Sequence, residues 1–336
     1  MRFVETATGR CYPTQTTARS GTRLPGPDSS AVFVNRIKAG AKIGDIDRFL
    51  DSAIWRHRLR ADPSTDPRIM ARGLDPRVVM KDRGEPVVIA QAGEATVLGI
   101  VENGVENELD VYVAPLSDAL AGRPQWATVC KVVDGVTGAV MHLGGIYMLS
   151  HDKAPHFQVL KASVADPAIA NAHIVLPEGR SVLKSISAAH DALYVSATDA
   201  GLGQVLRLLP DGSLTNLRLP FPGTISGLRT DPLQDGCWFS LESWVRPPVI
   251  CHGRSDGTVV ISDIAPKPPI DIAPYESREV TVTARDGARV PLSIVYRKGV
   301  PGDGSSPLYL QAHGVSCPGL IWAASWRWRM CGAAAS

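Results

Sequence analysis

Two series of short apolar segments alternate along this chain in a fixed phase. One series reads Ala31–Asn35, Thr96–Ile100, Gly145–Leu149, Asp191–Val195 and Gly236–Ser240. The other reads Trp55–Leu59, Leu109–Val113, Gln158–Ala162, Gln204–Leu208 and Pro248–His252. From its second member onward the latter series recurs about every 44 to 49 residues, a repeat length of the multi-stranded kind. Each segment of the first series leads through a polar stretch to its partner in the other. Four of these stretches are ENGVENE, SHDKAPHF, SATDAGLG and LESWVRP. Alternation between polar tips predicts half-buried strands joined as hairpins. Helical repeats would need a 3.6-residue apolar period, which these segments lack. A β-sandwich would give strands without a long-range phase. The phase therefore predicts a mainly β chain, a partial β-propeller with about five complete blades between residues 25 and 262. Arg2–Thr6, followed by the turn Ala7–Arg10, reads as the last strand of an earlier blade, so the array begins in mid-blade.

The chain has 336 residues, 44% hydrophobic and 20% charged, the balance of a globular protein. A formal charge of +2 gives no basic footprint for nucleic acid. No apolar run is long enough to span a membrane. The opening MRFVETATGRCYPTQ lacks the apolar core of a signal peptide, which favours the cytoplasm. Six cysteines (Cys11, Cys130, Cys237, Cys251, Cys317, Cys331) stand singly, without a C-x-x-C pair. They read as reduced thiols rather than zinc ligands, and no cofactor is expected.

The pattern changes near residue 265. APKPPIDIAPY is a proline-rich linker. Strand-like runs follow at Glu279–Thr283, Val290–Tyr296 and Leu308–Leu310, the first two joined through the hairpin signal Asp286-Gly287. These runs no longer keep the repeat phase.

The segment VTVTARDGARVPLSIVYRKGVPGDGSSPLYLQAHG, residues 280 to 314, resembles the start of the catalytic domain of prolyl oligopeptidases. Asp286, Gly287, Val290, Pro291, Lys298, Gly299 and Pro307 match that family's text. LDVYVAPL and FQVLKASVADP resemble blade strands of its bacterial members. The resemblance implies a seven-bladed propeller capping an α/β-hydrolase domain that cleaves short peptides, typically after proline. It implies three regions: an incomplete propeller over 1–264, the start of the peptidase domain over 265–314, and an aberrant tail over 315–336. It also implies that the catalytic Ser, Asp and His lie beyond the end of this chain. At the position of the family's oxyanion tyrosine stands His313.

Ser316, in G-V-S-C-P-G, imitates a nucleophile elbow but is rejected. Cys317 and Pro318 replace the second glycine of G-x-S-x-G. No Asp, Glu or His follows it, and a serine without a base is a weak nucleophile. The tail abandons the family pattern after Gly314 and carries Trp322, Trp326 and Trp328, which reads as a frameshift or truncated frame. A membrane or partner anchor through Trp322, Arg327, Trp328 and Arg329 is the weaker reading, because such helices are usually longer.

Other candidates read as structure. His142, His151 and His156 are expected on the surface or in loops, too scattered for zinc. Asp152, Asp199 and Glu242 are expected at hairpin tips, where they could meet a peptide but read first as solvated turn residues. Gly201 and Gly203 read as a tip rather than a phosphate loop, since no helix follows. The acidic run Glu102–Glu108 lacks the spacing of a calcium loop. The expected function is therefore that of a peptidase fragment carrying the gating propeller without the catalytic triad, acting with short peptides and without nucleic acid or membrane. The alternative is a non-enzymatic propeller that binds a peptide or protein. A separately encoded complementing catalytic fragment is a further possible partner.

Overall fold

A computed structural model describes residues 2–4, 11–15, 18–22, 31–36, 38, 42, 44–264 and 271–310. Five four-stranded antiparallel sheets follow one another, each a meander of sequential strands. They are preceded by a two-stranded sheet of β1 (Arg2–Val4) and β2 (Cys11–Gln15). The first four-stranded sheet comprises β3 (Ala18–Thr22), β4 (Ala31–Arg36), β5 (Ala53–Arg58) and β6 (Arg68–Met70). The second comprises β7 (Glu85–Ala90), β8 (Thr96–Glu102), β9 (Leu109–Pro115) and β10 (Ala127–Cys130). A short helix, α1 (Leu116–Ala121), bridges β9 and β10. The third sheet is β11 (Val136–His142), β12 (Gly145–Ser150), β13 (Gln158–Ser163) and β14 (His173–Leu176). The fourth is β15 (Val182–Ala188), β16 (Leu193–Asp199), β17 (Leu202–Leu208) and β18 (Leu214–Asn216). The fifth is β19 (Thr224–Arg229), β20 (Cys237–Ser243), β21 (Arg246–Gly253) and β22 (Val259–Ile261). A separate hairpin follows, β23 (Tyr275–Thr283) and β24 (Arg289–Arg297).

The sequence-predicted strand pairs are the two central strands of each sheet, paired antiparallel as expected. The first sheet begins at residue 18, earlier than the repeat phase placed it, and the opening segment forms two strands rather than one. Central strands are legible because they are buried on both faces: β12 is buried at all six positions. The outermost strands β18 and β22 are largely exposed and carry little apolar signal.

Among the described residues no four-stranded sheet has a core of its own. Four apolar clusters lie between successive sheets, one for each interface. Trp126, Met70 and Phe33 fill the first, with the Trp126 indole N–H donating to the Ile69 carbonyl at 3.0 Å. Leu98, Val113 and Met148 fill the second, Leu149, Val159 and Leu193 the third, and Tyr194, Phe239 and Leu241 the fourth. First strands pack on the next sheet's first strands, as β3 does on β7 and β11 on β15. That is the stacking of propeller blades around an axis.

Polar contacts fix the sheets against sliding. Asp191, in the β15–β16 turn, accepts from the Gly236 N–H of the fifth sheet, from the Tyr194 hydroxyl and from the Arg207 guanidinium, each at 2.9 Å. Burial acts to raise its pKa, but these donors outweigh burial and hold the carboxyl below the usual range. Glu94 accepts in the same sense from the Gly144 N–H of the third sheet. Between the fourth and fifth sheets, the Gly203 N–H donates to the Gly223 carbonyl at 2.7 Å. A Cβ at Gly223 would collide with the Glu242 carbonyl, so only glycine fits that approach.

A cross-strand pair recurs in phase. Tyr147 faces Lys161 in the third sheet, with the ammonium 5.2 Å from the ring centroid. Tyr194 faces Arg207 in the fourth, and Trp238 faces His252 in the fifth, their rings stacked at 4.4 Å.

Two expectations follow. Trp126→Ala should cost about 3–5 kcal/mol by urea unfolding and lower hydrogen-exchange protection in β4–β10, while protection in β15–β22 stays unchanged. Asp191→Asn should cost about 1–3 kcal/mol at neutral pH. The folded pKa lies below the unfolded value of about 3.9, so the contribution is present above that value and is lost as pH falls through the folded pKa. The stability gap between wild type and variant should therefore close below about pH 4.

Candidate functional site

The central hairpins turn at one end of the sheets. The turns after β8 and β12 are long and polar, while those after β16 and β20 are two-residue connections at Ala200–Gly201 and Trp244–Val245. In the third-sheet turn Lys153 and Phe157 hold positive φ, 53° and 69°. Hydrogen bonds overdetermine this turn. His151 N–H donates to the Gly135 carbonyl at 2.9 Å, and His156 N–H to Glu178 at 2.6 Å. The His151 ring meets Glu108 of the neighbouring acidic turn at 2.9 Å and lies edge-on to Phe157. His151 is the first cause that lowers the Glu108 pKa.

A cleft of about 740 Å³ opens where the fifth-sheet turn meets the β23–β24 hairpin. Phe221, Trp244 and Tyr275 supply its aromatic surface, and Arg246, Glu276 and Lys298 its charge. Arg246 lies over the Phe221 ring at 4.8 Å, a cation–π contact within the lining of the cleft. Lys298 donates to the Ala273 carbonyl at 2.7 Å, tying β24 to the chain that precedes β23. Asp286 caps the hairpin turn by accepting from Ala288 N–H at 3.0 Å, and Gly287 takes the positive φ of 86°. An aromatic wall with separated charges of both signs suits an extended peptide, whose backbone and termini need both.

Three sequence expectations need correction. His142 is buried rather than superficial. It packs against Tyr147 at the third interface, where burial, followed by the nearby Lys161, lowers its pKa. Glu242 is not at a tip; it lies inside β20, paired with Thr224. Leu308–Leu310 is not a strand and is exposed; among the described residues no strand pairs with it. Asp152 does lie in a turn and Asp199 ends β16, where Arg180 meets it at 3.1 Å. Gly201 forms the turn and Gly203 belongs to β17. Glu102–Glu108 forms a hairpin turn in which Glu106 pairs with Lys81 at 2.9 Å. His313, Ser316 and the tail lie outside the described residues.

Sequence reasoning missed the buried cluster of Arg36, Asp66 and His57. The imidazole Nδ1 lies 3.0 Å from both Asp66 carboxylate oxygens, and Arg36 bridges to the same group. His57 is fully buried, so this His–Asp pair is closed to a substrate. Its members come from β4, β5 and the turn before β6 and match no motif spacing. Among the described residues no group of three His, Cys, Asp or Glu is arranged to hold a metal, and no helix is long and apolar enough to cross a membrane.

The model of the prolyl oligopeptidase N-terminal β-propeller domain matches residues 1–256. The chain belongs to the prolyl oligopeptidase family. Within that family it is 25% identical over 172 residues to the prolyl endopeptidase of Elizabethkingia meningoseptica, covering 50% of this chain and 24% of the relative. It is 23% identical over 199 residues to that of Elizabethkingia miricola, covering 58% and 28%. A solved prolyl endopeptidase superposes with a TM-score of 0.73 at 21% identity, covering 91% of this chain and 44% of that one. Prolyl oligopeptidase B from Galerina marginata superposes at 0.68 and 16% identity, covering 83% and 38%. The chain thus spans about a quarter of the curated relatives' length and under half of these solved chains. The matched region is the oligopeptidase propeller, and the five sheets are its blades.

Burial pushes the thiols of Cys130 and Cys237 up to about 12 and that of Cys251 to about 11. Thiolate is the reactive form. In the folded protein at pH 7.5, these three should resist alkylation when reaction is followed by peptide mapping. All three should react on denaturation.

Proposed function

We propose that this propeller is the substrate-filtering part of a prolyl-oligopeptidase-type serine endopeptidase and has no peptidase activity by itself. The carrying observation is the family match over 1–256 together with an aromatic, mixed-charge cleft beside the sheet turns. On this reading residues 1–264 are the propeller, 265–314 begin the α/β-hydrolase domain, and 315–336 are a tail foreign to it. The ligand class is a short, extended peptide containing proline. A folded protein cannot present an extended backbone to a cleft of this size. No nucleic acid or membrane takes part. Cys130, Cys237 and Cys251 are buried free thiols, which supports a reducing compartment and hence the cytoplasm.

Peptide hydrolysis needs a nucleophile within reach of a base. Neither His151, joined to Glu108, nor His190, joined to Asp235, has a serine among its hydrogen-bond partners. The chain alone should therefore show no turnover of a Gly-Pro chromogenic reporter, and Ser316→Ala should change nothing. Turnover abolished by Ser316→Ala would overturn the reading. Calorimetric titration with a proline-containing octapeptide should show binding that weakens about tenfold or more in Trp244→Ala, a loss of the size expected when one buried aromatic anchor is removed.

A further inference from the structure

The first strand of each sheet ends where the chain turns back. In the second and fourth sheets its last residue is a buried alanine, Ala90 of β7 and Ala188 of β15. In the third sheet it is His142, 4% exposed. Its Nε2 is buried without a hydrogen-bond partner among the described residues. Alanine at the same place in both neighbouring sheets shows that stacking does not call for an imidazole. A buried nitrogen left unpaired is destabilising, so packing alone gives no reason for this histidine.

The groups around His142 leave a charge on it without compensation. From β12, the Tyr147 ring stands with its centroid 6.0 Å from that of the imidazole. From β13, the Lys161 ammonium lies 5.2 Å from the centroid of the same ring. The β15–β16 turn brings Asp191 and His190. Asp191 is the carboxylate that acts on His142, but its oxygens already accept from Gly236, Tyr194 and Arg207. His190 is joined to Asp235 at 2.8 Å. On the side of the second sheet, Glu94 accepts from the Gly144 N–H. Burial first, then Lys161, lowers the His142 pKa; His190 adds to the lowering, and Asp191 opposes it.

We propose that His142 makes the joint between the third and fourth sheets acid-sensitive: an imidazolium formed there parts the two sheets at the end where β11 turns into β12. At neutral pH the imidazole is uncharged and the joint is closed over Leu149, Val159 and Leu193. In an opened joint water reaches the ring, and the proton is taken up more readily than in the closed one. The closed-state pKa lies below the ordinary value of about 6.5. Closure is therefore fully favoured above that value and loses ground as pH falls through the closed-state pKa. The low pKa of Asp191 keeps its carboxylate ionised across the same range, so that network does not release first.

Hydrogen exchange on the full chain tests the proposal, with rates corrected for the intrinsic effect of pH. Between pH 7.5 and 5.5, protection in the β11–β12 hairpin and the β15–β16 turn should fall by at least about threefold. The fall should be absent in His142→Gln and retained in His190→Gln. Near-ultraviolet circular dichroism establishes that each variant is folded. Nuclear magnetic resonance of the wild-type imidazoles decides the matter even where His142→Gln fails to fold: His142 should titrate below the ordinary value, in step with the loss of protection. Protection that does not change with pH overturns the proposal. So does a loss that persists in His142→Gln, or a His142 that titrates at or above the ordinary value.

Discussion

Burial of the central strands between neighbouring sheets is the constraint on which everything else rests. A four-stranded sheet of this size cannot bury both faces alone, and here it does so only by stacking. Tyr112, Val97 and Ala90 turn to the first interface while Leu98, Val111 and Val113, on the same sheet, turn to the second. One sheet thus contributes to two cores, and alternate residues of one strand answer to different neighbours. The polar contacts are secondary in energy but decisive for alignment, since apolar packing is non-directional. Asp191 is the clearest case, binding a donor on the next sheet while holding the hydroxyl and guanidinium of its own.

Much of this architecture was legible in the sequence because it repeats. The paired segments beginning at Thr96 and Leu109, or at Gly145 and Gln158, are the central hairpins of their sheets, and the period announced blades rather than a sandwich. The outer strands escaped because they face solvent on one side. Leu214–Asn216 is exposed throughout and carries no alternation to read. In the hairpin that follows the sheets, the Asp286–Gly287 turn signal was legible, and these residues form the turn.

The candidate site was less legible. Its aromatic wall comes from Phe221, Trp244 and Tyr275, which lie in three separate segments and share no motif. Glu242 was read as a tip because it lies in LESWVRP, the polar stretch between two strand segments. In the structure the turn is only Trp244–Val245, so Glu242 still belongs to β20, which ends at Ser243. His142 was read as a surface or loop residue because His142, His151 and His156 are too scattered for a zinc site. Its place at the end of β11 sends it under the next sheet, against Tyr147. For His142 the type was visible but the depth was not, since depth is set by a neighbouring sheet about 45 residues away.

The arrangement of one core per interface has a mechanical consequence. Load applied along such an array is carried in series, and every joint bears the same force. The weakest joint sets the strength of the whole, and reinforcing any other leaves that strength unchanged. Under tension the chain would therefore release in sheet-sized steps, each of about 45 residues, rather than in one rupture.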